Sequence, residues 1–204
     1  MPLIAPKPSH ADFTPAPAGT HLAICYRLID LGTQLTTYPG QPPKPQHKIV
    51  ISWELPEARM ADGQPYTVHQ RYTFSLHKQA ALRADLESWR GRPFTDEELE
   101  AFDLERLLGQ PCMLSIVHRQ HGDRTHAHVT AVTRLPQGMA APDRPTHQPV
   151  AFSLATPDWR VFQKLSLGLQ EAIKRSPEYA EATRQPMADA PPERRGDIDD
   201  DIPF

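Results

Sequence analysis

Two cysteines in 204 residues are too few for a disulfide framework. Cys25 and Cys112 both sit inside apolar, strand-like runs, which marks them as small buried hydrophobes in a reducing compartment. Aromatic residues are also sparse, at 7% of the chain. No apolar run approaches the roughly 20 residues that cross a bilayer. The N-terminus lacks the basic, apolar and cleavage-site succession of a secretory signal. Neither a phosphate-cradling GxxxxGKS/T loop nor a nucleophile elbow is present. The strand-borne acids Asp30, Glu54 and Asp123 are too scattered to hold catalytic metal ions. These absences lead to the expectation of a soluble, cytoplasmic protein with no membrane partner, cofactor or catalytic residues.

Proline, by contrast, is abundant, and 19 of the 23 crowd into 2–17, 39–45, 136–157 and the C-terminal stretch. The intervals between these clusters read as ordered blocks. Thr20–Leu31, His47–Leu55 and Tyr66–Leu76 are rich in β-branched and aromatic residues and are expected to be strands, with a turn at Asp62-Gly63. The period then changes. Leu82, Leu86 and Trp89 share one face of a helix over Lys78–Arg90. Thr95 and Glu98 form a capping-box pattern that opens a second helix, carrying Leu99, Phe102, Leu107 and Leu108 inward to Gly109. Strands resume at Cys112–Arg119 and His126–Leu135, joined around Gly122-Asp123, and a short run follows at Val150–Leu154. Thr156-Pro157 opens a last helix bearing Phe162, Leu165, Leu169 and Ile173. Three strands, helices and two strands make the order of a five-stranded OB-like barrel, in which a helix between strands 3 and 4 closes one end. The expected organisation is mainly β with helical insertions. A flexible Pro/Ala-rich arm spans 1–18, the OB-like domain 19–178 and a disordered acidic tail 179–204.

A net charge of −3 conceals an asymmetry. Glu178 to Phe204 holds eight acids against three bases, whereas the strands and loops outside Lys78–Leu108 hold 14 bases against nine acids. The sheet is therefore expected to be cationic and the tail anionic. Proteins that hold single strands combine cations for phosphates with aromatic faces for bases. On the alternating faces of the second and third strands, Lys48, His69 and Arg71 are candidate phosphate contacts, joined by Arg27 from the first strand. Trp53, Tyr66 and Tyr72 are candidate stacking residues, although strand aromatics more often build a core. The hairpin between the fourth and fifth strands offers Arg119, Arg124, His126, His128 and Arg134 as further contacts. Its histidines, with His118 and His121, also permit a rival reading as a zinc site, but their spacing matches no zinc signature.

The last six residues, Asp199, Asp200, Asp201, Ile202, Pro203 and Phe204, are the sharpest signal. An acidic segment ending in Pro-Phe can insert Phe204 into a partner's pocket while its carboxylates meet a ring of Arg or Lys. DDDIPF resembles the C-terminal tip of bacterial and phage single-stranded DNA-binding proteins, which recruits replication and repair enzymes. The segments GTHLAICYRLIDLGTQ, WEL, RYTFSLHKQAALRADLESWRGRPFTDEELEAFDL, LLGQPC and SPEY are likewise similar to phage-encoded OB-type proteins of that class, over roughly residues 19–179. The resemblance implies sequence-independent binding of single-stranded DNA in replication, recombination or repair, with partners docking at the tip. The proline-rich loop and the second helix depart from the shorter bacterial tetrameric proteins, so a tetramer is not implied and the oligomeric state stays open. Two alternatives are a metal-dependent nucleic-acid enzyme centred on His118–His128 and an adaptor that uses the tip without binding DNA.

Overall fold

A computed structural model describes residues 14–122, 124–142 and 144–184. Most of the expected N-terminal arm and the tip lie outside the described residues. The period-two stretches form one sheet from β1 (Gly19–Thr36), β2 (Lys44–Arg59), β3 (Pro65–Thr73), β4 (Pro111–His121) and β5 (Arg124–Thr133). These run antiparallel in the order β3-β2-β1-β4-β5. A sixth strand, β6 (Val150–Phe152), adds in parallel to β1 at Arg27–Ile29, beyond the point where β4 has left it. The chain is mainly β, as expected. The sheet is open, because no ladder joins β3 to β5 among the described residues, although the two strands come within 8 Å between Cα atoms.

Alternation decides what the sheet encloses. Cys25 and Leu28 of β1, Ile49, Ile51, Trp53 and Leu55 of β2, Val68 and Tyr72 of β3, Cys112, Leu114 and Ile116 of β4, and Val129 and Val132 of β5 fill one core. Helix α1 (Ala81–Arg90) lies across its end with Leu82, Leu86 and Trp89, and the Trp89 and Trp53 rings are 5.9 Å apart. Both cysteines are buried and free, and burial pushes the Cys25 thiol up to about 12. A second core covers the opposite side of β1 and β2, where Ile29, Leu31 and Val50 meet Phe152, Phe162, Leu165 and Ile173.

Two expected helices are broken. The second ends after α2 (Asp96–Glu100) and resumes as a 3-10 turn at Leu104–Leu107, because the Asp103 carboxylate caps a new start by accepting from the Glu105 amide. The last divides into α3 (Trp159–Lys164), α4 (Leu167–Lys174) and α5 (Pro177–Arg184), with Leu165 and Ser166 in extended conformation at the first break. Helix α5 carries ordered structure beyond residue 178, where the sequence places the start of the tail. The arm boundary also shifts, since Ala16 is buried and its carbonyl meets His118 Nε2 at 2.8 Å. Among the described residues no helix is long and apolar enough to cross a membrane.

Strand β1 is irregular at two points, and each decides what packs against it. Register slips between Cys25 and Arg27 and again between Asp30 and Gly32. At the second, Gly32 has φ +65, and an added Cβ would fall 2.5 Å from that of Ser176, so only glycine lets the start of α5 close on the strand.

Candidate nucleic-acid interface

On the side of β2 and β3 away from the main core, Lys48 pairs with Thr73, Val50 with Arg71 and Ser52 with His69. Val50 and Ser52 are buried, Val50 under the second core, whereas His69 and Arg71 are exposed and Lys48 is half-buried. On the other side of β2, Ser52 is opposite Arg27. That pairing depends on the first β-bulge. Cys25 faces Trp53 inside the core, so unbroken alternation would turn Arg27 inward as well. The extra residue, Tyr26, restores Arg27 to the outer face, a re-aiming typical of bulges. Its Nε donates to Ser52 Oγ at 3.3 Å. Lys48 Nζ donates to Thr73 Oγ1 at 2.8 Å and Gln46 Oε1 at 2.7 Å, and the Tyr38 hydroxyl reaches the same Gln46 oxygen at 3.4 Å. Arg27, His69, Arg71 and Lys48 thus form a strip across three strands, ending at Tyr38 in the β1–β2 loop.

The strip lacks counter-ions. Among the described residues no ion pair involves Arg27, Lys48 or Arg71. Two acids lie close in register and both are already used. Asp30, opposite Ile49 beside Lys48, meets His47 Nε2 at 2.6 Å and accepts from the Leu154 amide at 3.1 Å. Buried Glu54 accepts from the Thr146 amide at 2.7 Å and the His147 amide at 2.9 Å, and meets His147 Nδ1 at 2.7 Å. Partial removal of water, together with the guanidinium groups of Arg27 and Arg71, holds His69 below the ordinary imidazole value. Lys48 is lowered by burial and by Arg71. Crowded like charges of this kind are relieved by an anionic ligand.

The β4–β5 hairpin forms the second array. Arg119 is opposite His126, and His128 is opposite Val117. Burial and Arg119 lower the pKa of His128. Arg119 and Arg124 are exposed. The His121 and His126 rings are 6.5 Å apart, and among the described residues no three His, Cys, Asp or Glu side chains converge as a metal ion requires. Asp123 lies outside the described residues.

Four sequence candidates are placed elsewhere. Trp53 is 0% exposed and faces α1, so no base can reach it. Tyr72 is buried and donates to Asp85 Oδ2 at 2.8 Å, and Tyr66 packs against the same core. Alternation puts these three on one face, and that face is the interior. Arg134 leaves the hairpin array: its backbone amide donates to Ser88 O at 3.1 Å, and its side chain lines a cleft of about 560 Å³ with Arg90, Arg92 and Arg106. Among the described residues the exposed large aromatics are instead Tyr38, at 42%, and Phe74, at 45%, whose ring meets His47 edge-on at 5.3 Å. Tyr38 was legible in principle, since a lone tyrosine in a Pro/Gly loop has no core to join. The tip, residues 199–204, lies outside the described residues.

No protein-family model matches the chain, and comparison with curated proteins finds no match.

Proposed function

We propose that this protein binds single-stranded DNA without catalysis, gripping it on the outer face of β1, β2 and β3, and that residues 199–204 recruit other proteins of replication, recombination or repair. One observation carries the reading: Arg27, His69, Arg71 and Lys48 form an uncompensated cationic strip beside an exposed aromatic ring. Phosphates neutralise such a strip and release counter-ions, while Tyr38 offers a face to a base. The strand order and the position of α1 between β3 and β4 support an OB-like barrel whose β3–β5 seam is not laced. The hairpin, with Arg119, Arg124, His126 and His128, stands beside that seam as a second cationic wall.

The test is a fluorescence-anisotropy titration of the full chain with labelled oligothymidine at two salt concentrations. Binding that weakens with salt and leaves the strand uncut is expected. No binding at low salt would overturn the proposal in favour of an adaptor acting through the tip. Magnesium-dependent cleavage of the strand would overturn it in favour of an enzyme.

A further inference from the structure

At the Arg27 end of the cationic strip a pocket opens where β1, β6 and α3 meet, with a volume of about 330 Å³. Tyr26 and Arg27 line it from the strand, His147 and Gln148 from the segment before β6, and Val161 and Lys164 from α3. The Tyr26 and His147 rings are 4.8 Å apart and inclined by 32°, and the Arg27 guanidinium carbon lies 5.3 Å from the Tyr26 centroid. Glu54 fixes the imidazole in this pile, meeting both the backbone amide and Nδ1 of His147. The ring that completes the pile therefore needs no reordering before a ligand arrives. Around it stand apolar Val161, a carboxamide that can read a base edge and two cations, Arg27 and the exposed Lys164.

We infer that this pocket seats one nucleotide of the bound strand, its base extending the Tyr26–His147 stack and its phosphate held by Arg27 and Lys164. The inference rests on the DNA-binding reading, because Arg27 belongs to both the pocket and the strip. A strand lying along Lys48, Arg71 and His69 arrives at Arg27 and can turn one base out of the groove. The elements that build the pocket, β6 and α3, come after the fifth strand in the chain and are additions to a five-stranded barrel.

The experiment uses the full chain with an oligothymidine in which 5-iodouracil replaces successive thymines, irradiated in complex and mapped by peptide mass spectrometry. Crosslinks at Tyr26 or His147 are expected. In parallel, Lys164→Ala should reduce the slope of log K against log salt by about 0.7, the value for one phosphate contact on a single strand. Normal binding with crosslinks confined to Tyr38 and Phe74, together with an unchanged slope in Lys164→Ala, would overturn the pocket while leaving the strip in place. A chain that binds no oligothymidine would overturn both readings.

Discussion

At the scale of single residues, the outer and inner faces of β2 and β3 respond to substitution in opposite ways. Arg71→Ala removes an exposed cation and leaves the core intact, so stability should be unchanged while the salt slope of oligothymidine binding falls by about 0.7. Trp53→Ala should instead cost about 3–5 kcal/mol of stability, seen as a lowered denaturation midpoint. His69 adds a pH signature. Partial water removal and the neighbouring guanidinium groups hold its pKa below the ordinary imidazole value, which favours the neutral ring. A bound phosphate favours the protonated ring, and binding therefore takes up a proton. Affinity should rise as pH falls from about 7.5 to about 5.5, and His69→Gln should flatten that dependence. A titration of affinity against pH checks both. Period-two alternation makes the strip legible at Lys48, His69 and Arg71, because it assigns residues to shared faces. It cannot register an inserted residue, so it leaves Arg27 on the side of Cys25, and only the bulge at Tyr26 carries it outward.

Among the elements, the strands were more legible than the helices. A strand inherits its neighbours' register and extends, as β1 does to Thr36. A helix ends wherever a side chain caps a new start, as Asp103 does before Leu104 and Ser176 does before α5, its hydroxyl oxygen accepting from the Tyr179 amide at 3.2 Å. Phe162, Leu165, Leu169 and Ile173 keep a spacing that suits one long helix, yet three short ones fold over β1 and bury the same residues. Helix α5 is fastened by Glu178, whose carboxylate accepts from the Thr33 amide at 2.8 Å and the Thr33 hydroxyl at 2.5 Å. These bonds outweigh burial and lower its pKa. Stability from this contact is present above the ordinary carboxylate value of 4.5 and is lost as pH falls through the depressed one. The fastening requires Gly32. Gly32→Ala places a methyl group on Ser176 and forces alanine to a positive φ, a cost of at least ~1–2 kcal/mol. Thermal unfolding should shift down accordingly, whereas Gly63→Ala, in a turn with open space, should cost only its positive φ.

For the whole molecule, what matters is the separation of charge between a cationic sheet and an acidic terminal stretch. Residues 185–204 hold six acids against two bases. Twenty residues extended reach roughly 65–70 Å, far enough to meet any part of the sheet. Ending the chain at Arg184 should tighten oligothymidine binding at low salt and leave it unchanged at high salt, because screening cancels the competition. Partner recruitment should be lost in the same variant. Equal affinity of both lengths across a salt series would refute the competition. This division was legible from composition alone, whereas the Tyr26–His147 pile was not, because it joins residues 121 positions apart through a buried glutamate.

The unlaced margin between β3 and β5 has a consequence for what can be gripped. Two strands that share no rungs can part or approach without breaking a bond, while α1 and the apolar interior hold their ends. On the DNA-binding reading, the strip on β3 and the hairpin cations beyond β5 would then be free to adjust their spacing, so that a wide purine and a narrow pyrimidine would be held at similar cost.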